Sequence, residues 1–286
     1  MAIALRERAT LHSDLLLTFA GRPDYDLEAP MGLAEYIVAS KPDVVISAAA
    51  YTAVDSAEVE SEKAFAVNAT APGLISAAAD HAGAAIIHVS TDFVFPGDGT
   101  KALTETDMTG PKSVYGASKL GGEKAVIAAN PRHTILRTAW VYSPFGKNFV
   151  RTILSAATKN SELTVVSDQF GNPTNALDVA DALFVVSRRL YQDKGNEALS
   201  GVFHAAGRDE TNWAVFARAI LEISEAHGGP SANVRFIKTS DWPTKAERPI
   251  NSRLNSLKLK AVFGFEVPGF QTSLAPTVKR LLKALT

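Results

Sequence analysis

The sequence predicts an α/β protein with a doubly wound parallel sheet and a smaller α/β lobe towards the C-terminus. The first observation is a set of short apolar runs, at 41–50 (KPDVVISAAA), 86–89 (IIHV) and 133–142 (HTILRTAWVY), of the kind found in strands buried on both faces. The second is that segments of helical composition alternate with these runs, which is typical of parallel sheets covered by helices. The third is the length of 286 residues, which is enough for a full core and a second lobe.

The N-terminal elements lack the usual beginning of such a sheet. Residues 1–10 are predicted to form a helix and residues 15–20 (LLLTFA) a strand. A dinucleotide-binding unit normally opens with a strand and a glycine-rich turn, and no such glycine pattern stands near the start of the sequence. We therefore expect the first strand to be missing, which would separate the strands at 15–20 and 41–50 from the strand at 86–89. Either further residues precede Met1 in the natural protein, which we favour, or the protein is a variant with weakened cofactor binding.

A turn of small residues follows the strand at 41–50. Its sequence, at 48–55, is AAAYTAVD. The alanines would let the backbone approach a flat ligand closely, but they equally suit tight packing of the strand against the next helix. Asp55 is predicted to cap that helix, which we expect to be long.

The strand at 86–89 ends in Ser-Thr-Asp, with Thr91 in the middle, so polar side chains stand at its carboxyl end. Open α/β sheets bind ligands at that edge. Farther along, Tyr115 and Lys119 are four residues apart in a predicted helix at 113–129, so both side chains lie on one helix face. Taken alone, the Tyr-Lys pair would also fit a solvated helix face.

A hydroxyl, a phenol and an ammonium at these positions suit the reduction of a carbonyl group. A phenol titrates near about 10 and is a poor proton donor or acceptor at neutral pH until something stabilises its anion. We expect the Lys119 ammonium to do this. Thr91 would orient a carbonyl, and Tyr115 would protonate its oxygen while a nicotinamide delivers a hydride.

The elements continue to alternate after the helix at 113–129. The strand at 133–142 carries Trp140 to the same edge, where the indole could stack on a sugar or fill the core. A polar loop then leads into a helix that starts at Asn175 or Asp178. The remaining predicted elements are helices at 148–159, 211–227, 256–262 and 271–284 and strands at 163–167 and 201–206.

We divide the chain into a dinucleotide-binding domain at 1–145 and a mainly substrate-binding lobe at 146–286. The sequence contains neither an internal repeat nor a low-complexity linker, so we expect the two lobes to interleave. Near the C-terminus, Arg248 and Arg253 flank a Pro-Ile-Asn-Ser turn. Two guanidinium groups in this arrangement could hold a phosphate, or the segment could be an exposed basic loop.

The composition excludes several classes of function. The formal net charge is −1 and no block of Lys and Arg occurs, so we expect no nucleic-acid partner. No apolar run approaches the roughly 20 residues of a membrane span, and the first residues do not resemble a signal peptide, so we expect no membrane association. The absence of cysteine rules out disulfides and thiolate metal sites and fits a reducing cytoplasm. We predict no metal site.

The motifs together resemble a known family. A Ser or Thr at a strand end followed by Y-x-x-x-K is the hallmark of the extended short-chain dehydrogenases/reductases, which share a Rossmann-like fold. Within this superfamily the chain is similar to the dTDP-4-dehydrorhamnose reductases, with matching segments in family order over nearly the whole chain. The segments are 48–58 (AAAYTAVDSAE), 90–97 (STDFVFPG), 115–123 (YGASKLGGE), 137–142 (RTAWVY), 168–174 (DQFGNPT) and 248–255 (RPINSRLN).

The resemblance implies a specific reaction and a specific set of residues. The reaction is the reduction of the 4-keto group of dTDP-4-dehydro-L-rhamnose to dTDP-L-rhamnose, a precursor of surface polysaccharide, by a cytoplasmic protein that can form a homodimer. The catalytic set is Thr91, Tyr115 and Lys119; the cofactor contacts are Asp26, Leu27, Ala50, Tyr51, Thr52, Tyr115 and Lys119; the substrate contacts are Thr91, Asp92, Trp140 and Arg253.

NADPH is the expected hydride donor, with NADH tolerated. The strand at 15–20 is followed by Gly21 and Arg22 rather than by an acidic residue, so nothing repels a 2′-phosphate and Arg22 could pair with it. The chain departs from the family pattern in having no glycine-rich phosphate loop. The glutamate with which family members bind magnesium at a dimer contact would fall near Ala2, so we expect no magnesium site of that kind.

Three alternatives remain to be weighed. Sugar-nucleotide dehydratases have Asp and then Glu after the threonine, but here Phe93 follows Asp92, which argues against dehydration. Epimerases of the superfamily share the Tyr and Lys and are harder to exclude. The third is a non-catalytic binding protein, because the regulatory β subunit of methionine adenosyltransferase has this fold and acts by binding a partner.

Overall fold

The computed structural model describes residues 1–283. Helices and strands alternate along most of this length, as the sequence predicts. The α-helices are α1 (Ala2–Ala9), α2 (Met31–Ser40), α3 (Val54–Ala57), α4 (Ser61–Phe65), α5 (Ala71–His81), α6 (Val114–Ala129), α7 (Phe149–Ala157), α8 (Ala176–Gln192), α9 (Trp213–Glu225), α10 (Leu257–Phe263) and α11 (Phe270–Leu282). The strands are β1 (Val44–Ser47), β2 (Ala85–Thr91), β3 (His133–Thr138), β4 (Val141–Tyr142), β5 (Glu162–Val166), β6 (Phe170–Gly171), β7 (Thr174–Asn175), β8 (Gly201–His204), β9 (Thr211–Asn212) and β10 (Asn233–Ile237).

The main sheet is parallel and has the strand order β1-β2-β3-β8. Its central strands, β2 and β3, are buried along nearly their whole length because both of their faces are covered by helices. Ile87 packs in a cluster with residues of α1, α8 and α10, whereas its neighbour Ile86 packs in a cluster with residues of α2, α5 and α6. This alternation of sides gives the doubly wound α/β architecture that the sequence predicts.

A second cluster of apolar residues lies in the smaller lobe. There β5 and β10 pair in parallel, and the apolar faces of α7, α9 and α11 join one core with β5. Leu163, Ile220 and Leu274 are members of this core. The apolar pattern of the sequence did not predict β10, whose residues 233–237 (NVRFI) lie between polar segments and are mostly half-buried or exposed.

The prediction of a strand at 15–20 was wrong. Residues 16–20 form no part of a strand, since no neighbouring strand in the described part of the chain pairs with them. The segment still has one apolar side, because Leu15 and Leu17 pack on the core while Leu16 is 96% exposed. The expected separation of the strand at 41–50 was also wrong, because β1 pairs directly with β2, with Ser47 opposite His88.

Two further predictions were corrected by the fold. The run at 133–142 is not one strand, because Trp140 has a positive φ of 46° and divides β3 from β4. Asp55 does not cap a long helix: α3 begins one residue earlier, and the Asp55 carboxylate binds Arg248 instead.

The start of one other helix agrees with a local signal in the sequence. Asn175 caps α8 by accepting a hydrogen bond from the backbone of Leu177. The predicted end of the last helix, at Ala284, lies outside the described residues. Between residues 1 and 283, none of the helices has the length and apolar character needed to cross a bilayer.

Candidate active site

The carboxyl end of β2 delivers Thr91 and Asp92, and the local fold there follows from the sequence. Thr91 is extended and its hydroxyl accepts a hydrogen bond from the amide of Phe93, so it caps the short 3-10 turn at Asp92–Val94. The Thr91 hydroxyl also donates to the Asp92 carboxylate at 2.9 Å. Both side chains are nearly buried where the parallel strands end, which is the ligand-binding edge of such a sheet.

Helix α6 carries the other two predicted catalytic residues. It begins after Ser113, whose hydroxyl accepts a hydrogen bond from the amide of Gly116. A Cβ at Gly116 would overlap the carbonyl oxygen of Phe93, so glycine lets the helix lie directly against the turn that follows β2. This close contact brings Tyr115 beside Thr91 and packs its ring edge-on to Phe93.

Most of the predicted site residues share one cavity. Its volume is about 1390 Å³, which exceeds the range of roughly 300–1,000 Å³ typical for one small ligand. The cavity lies between the main sheet and the smaller lobe. Its wall includes the predicted residues Ala50, Thr52, Thr91, Asp92, Tyr115, Lys119 and Trp140.

Four predicted residues do not form part of this wall. The Asp26 carboxylate pairs with Arg22, which is therefore engaged within its own loop. The Tyr51 hydroxyl donates to Glu60 at 2.5 Å, and the Tyr51 backbone exchanges hydrogen bonds with Asn68. The other two are Leu27, which packs in the α2–α5–α6 core, and Arg253.

The two arginines of the C-terminal turn hold parts of the protein together. Arg253 bonds the carbonyl of Thr100 and the side chain of Asn251, and it lies over the ring of Phe170. Arg248 lines the cavity and makes a two-pronged ion pair with Asp55, its Nη2 lying 2.6 Å from Oδ2. Arg248 thereby ties the C-terminal segment to the turn after β1. The role of Arg253 in substrate binding stays a prediction.

Lys119 is buried, with 2% of its surface exposed. Its Nζ donates to the carbonyl of Val89 at 2.7 Å and lies 3.1 Å from Nε2 of His88. Burial lowers the pKa of Lys119 to about 8, while the nearby Glu123 carboxylate raises it. The side chain is therefore mainly charged at neutral pH.

The predicted effect of Lys119 on the Tyr115 anion stays a prediction, and other influences shift the pKa of the phenol. Burial raises the pKa of Tyr115 to about 12; the Thr91 hydroxyl lowers this pKa and the Asp92 charge raises it further. The phenol therefore keeps its proton at neutral pH. Asp92 is also affected, because burial raises its pKa to about 6 despite its hydrogen bonds, and one carboxylate oxygen, Oδ2, has no hydrogen-bond partner among the described residues.

The sequence analysis missed an aromatic neighbour of Trp140. The Trp213 indole stacks on the Trp140 indole with ring centroids 3.5 Å apart and planes 6° from parallel, and both line the cavity. Trp213 lies in the predicted helix at 211–227, and no local pattern in the sequence links it to Trp140. The positive φ of Trp140 is rare for a large side chain and is a feature often found at functional sites.

A buried ion pair behind the site was also missed. Arg137 on β3 donates two hydrogen bonds to Glu123 on α6, and Ser90 donates a third at 2.5 Å. The pair fixes α6 to the ends of two strands. In the described residues 1–283, His, Asp and Glu side chains nowhere form a group of three that could hold a metal ion, and the predicted absence of a metal stays a prediction.

A doubly wound parallel sheet, with a threonine at a strand end and a tyrosine and lysine one turn apart on the next helix, defines the class of extended short-chain dehydrogenases/reductases. The family model described as "RmlD substrate binding domain" matches residues 1–283. A dTDP-4-dehydrorhamnose reductase of Sinorhizobium fredii is 44% identical over 98% of this chain and 94% of its own length. The chain belongs to the dTDP-4-dehydrorhamnose reductase family.

Solved structures agree with this assignment. A dTDP-4-dehydrorhamnose reductase from Clostridium acetobutylicum is 32% identical, with a TM-score of 0.88 over 97% of this chain and 94% of that one. A second, from Bacillus anthracis in complex with NADP, is 26% identical, with a TM-score of 0.83 over 97% of this chain and 95% of that one.

Proposed function

We propose that this protein reduces the 4-keto group of dTDP-4-dehydro-L-rhamnose to give dTDP-L-rhamnose, with NADPH as the preferred hydride donor and NADH tolerated. The single observation that carries the proposal is the convergence of Thr91, Tyr115 and Lys119 on one large cavity between the sheet and the smaller lobe. The names of the relatives support the substrate, and the NADP complex of the Bacillus anthracis relative supports the cofactor.

The cavity suits a dinucleotide together with a sugar nucleotide. Its volume leaves room for two ligands, and Ala50 and Thr52 offer small side chains against which a flat ring can lie. The first turn of α1 forms part of the wall, so backbone amides at a helix N-terminus are available to phosphate oxygens. Tyr115 and Lys119 would reach the nicotinamide end. The reduced nicotinamide supplies the hydride when it is bound.

The side chains of the site have different roles in the reaction. The Thr91 hydroxyl orients the sugar carbonyl, and Tyr115 donates its phenolic proton to the carbonyl oxygen. The raised pKa of Tyr115 suits this role, because the phenol holds its proton until negative charge develops on that oxygen. The charged Lys119 binds a cofactor hydroxyl and places a positive charge near the reacting atoms. Asp92 and Trp140 contact the sugar.

The alternatives are less well supported. A non-catalytic binding protein need not keep these three side chains on one cavity wall, and the relatives described above are named reductases. Dehydration lacks its second carboxylate, since Phe93 follows Asp92. Two further properties belong to the proposal on the strength of the family resemblance: a homodimer, which light scattering after size-exclusion chromatography would test, and a cytoplasmic location.

The decisive experiment supplies purified full-length protein with dTDP-4-dehydrorhamnose and NADPH, then with NADH. We expect loss of the reduced-nicotinamide absorbance, with dTDP-rhamnose identified by mass spectrometry. Tyr115→Phe should lower kcat by about 10²–10⁴-fold, because the general acid is removed, without changing Tm. Tyr191→Phe, a half-exposed tyrosine on α8, is the matched control and should behave as wild type. Absence of cofactor oxidation in wild type, or full activity of Tyr115→Phe, would contradict the proposal.

A further inference from the structure

A fully buried histidine lies beneath the catalytic lysine. His88 is on β2, between Ser47 on the neighbouring strand and Lys119 on the helix that covers this face. It has no exposed surface. The reaction proposed above does not use it directly, and a buried polar side chain in the middle of an apolar strand needs a reason.

The hydrogen bonds around His88 define one tautomer. The Lys119 ammonium can only donate, so Nε2 of His88 accepts from it at 3.1 Å. The proton of the neutral ring is therefore on Nδ1, where it can be donated to the Ser47 hydroxyl at 3.2 Å. Burial and the Lys119 charge both lower the pKa of His88 well below its usual value, which keeps the ring neutral and able to accept.

Helix α6 packs so closely against its neighbours that His88 and Lys119 have little space for any other arrangement. A Cβ at Gly122, on the same helix as Lys119, would overlap the carbonyl oxygen of Asn68 and come within 3.4 Å of Nε2 of His88. Asn68 also donates to Ser118 at 3.0 Å, which fixes the same turn of the helix. The position of the Lys119 backbone is thus determined, and the direction of its ammonium depends on the acceptors around it.

An ammonium group has three N–H bonds, and Lys119 uses two of them inside the protein. One is donated to the carbonyl of Val89 and the second to His88. The third remains for a group in the cavity that Lys119 lines. Loss of the histidine acceptor would leave two free N–H bonds and allow the ammonium to rotate.

We propose that His88 is a positioning residue: its Nε2 holds the Lys119 ammonium so that the remaining N–H bond points into the cavity. The consequence for the reaction rests on the proposed function, but the effect on Lys119 itself does not. The titratable and charged groups that act on Lys119 are His88 on β2 and Glu123 on α6. Arg137 on β3 pairs with Glu123, and Tyr115 and Asp92 interact with each other in the wall of the same cavity.

Two amide variants of His88 distinguish a role in positioning Lys119 from a role in filling the core. In His88→Gln, the amide oxygen can reach the position of Nε2 and accept from Lys119. In His88→Asn, the amide is shorter and can bond Ser47 but not Lys119. We expect kcat to fall by about 10–100-fold in the Asn variant and by less than about threefold in the Gln variant, because misplacement of a catalytic group by about 1 Å costs up to about 10²-fold.

A second measurement does not need turnover. In protein with labelled lysine side chains, with the Lys119 signal identified from Lys119→Arg, an NMR titration reports the pKa of Lys119. Loss of an acceptor disfavours the charged form, so this pKa should fall from about 8 in the Asn variant and stay near it in the Gln variant. If wild type shows no reductase activity, the proposed function fails while this titration still decides the role of His88.

The proposal is overturned if the Asn variant keeps both the kcat and the Lys119 pKa of wild type. If the Asn variant does not fold, His88→Leu provides the second route. This change removes the acceptor of the Lys119 ammonium and keeps an apolar side chain in the buried position, so the Lys119 pKa should again fall. An unchanged pKa in His88→Leu would then overturn the proposal.

Discussion

Asp92 is an ionisable group in a buried position at the edge of the site. Its carboxylate accepts from Thr91, yet Oδ2 has no hydrogen-bond partner among the described residues, and burial raises its pKa to about 6. In the folded protein this carboxyl therefore binds a proton over a pH range in which the unfolded chain has already released it. Its protonation state is coupled to stability as well as to the charge beside Tyr115.

We predict that Asp92→Asn changes how stability depends on pH. Because the folded pKa of Asp92 lies above the unfolded value, its stabilising contribution is complete below about pH 4 and is lost as pH rises through about 6. The difference between a pKa near 3.8 and one near 6 corresponds to about 3 kcal/mol. Urea unfolding of both proteins at about pH 4.5, near the lower end of this range, and at about pH 8, about two units above its upper end, should show that wild type loses most of this stability and the variant does not.

The surface residue Asp24 provides the control for that experiment. Asp24 is exposed, so Asp24→Asn should follow wild type at both pH values. If Asp92→Asn and wild type lose the same free energy of unfolding between the two pH values, the raised pKa of Asp92 is contradicted.

At the scale of elements, α6 is the scaffold of the site. Ser113 fixes its start beside the turn after β2, and the Arg137–Glu123 ion pair fixes its middle to β3. It also packs against the π-helical turn at Ala66–Thr70, where Asn68 bonds both the helix and the turn after β1. The spacing of Tyr115 and Lys119 is useful only because these contacts hold the helix in one place.

We predict that Gly122→Ala destabilises the protein by about 1–3 kcal/mol. The added methyl group would overlap the backbone carbonyl of Asn68, so α6 or the π-helical turn must move. Gly32→Ala is the matched control, because Gly32 lies in α2 with no atom near the added methyl group. It should raise stability by about 0.5–1 kcal/mol, since alanine favours the helix. Equal stability of Gly122→Ala and wild type in urea would contradict the close packing.

At the scale of the whole molecule, one core joins distant parts of the chain. The cluster that covers one face of the main sheet includes Leu5, Ile87, Leu183, Phe203 and Leu259. The fourth strand of that sheet, β8, and the helix α8 both follow the proposed domain boundary at residue 145. The boundary itself stays a prediction.

We predict that residues 1–145 do not fold alone. Without β8 and α8, strand β3 loses its outer neighbour, and the face of the sheet carrying Ile87 and Leu136 is exposed to water. The fragment should bind a hydrophobic dye and melt without a cooperative transition, whereas the full chain under the same conditions should melt cooperatively. A sharp, reversible transition in the fragment would show that the first domain is independent.

Patterns between residues close together in the sequence were sufficient to predict many of the elements of this protein. The apolar runs predicted β1, β2, β3 and β8, since strands buried on both faces are rich in apolar residues. The capping signals predicted a start of α8 at Asn175 or Asp178, and Asn175 is the cap in the structure. The family was indicated by the spacing of Thr91, Tyr115 and Lys119 together with the order of the matching segments. This was possible because a position at the end of a strand or on one face of a helix is set by local geometry.

Contacts between distant residues decided the rest. The apolar run at 15–20 is not a strand because a strand requires a paired neighbour. Arg248 forms an ion pair with Asp55, which is 193 positions away in the sequence. The stacking of Trp213 on Trp140 and the hydrogen bond between Lys119 and His88 likewise join separate elements. The sequence by itself determined which elements form and which reactive side chains they carry. Only the tertiary structure decided their pKa values and partners, because burial and electrostatic neighbours depend on how elements pack together.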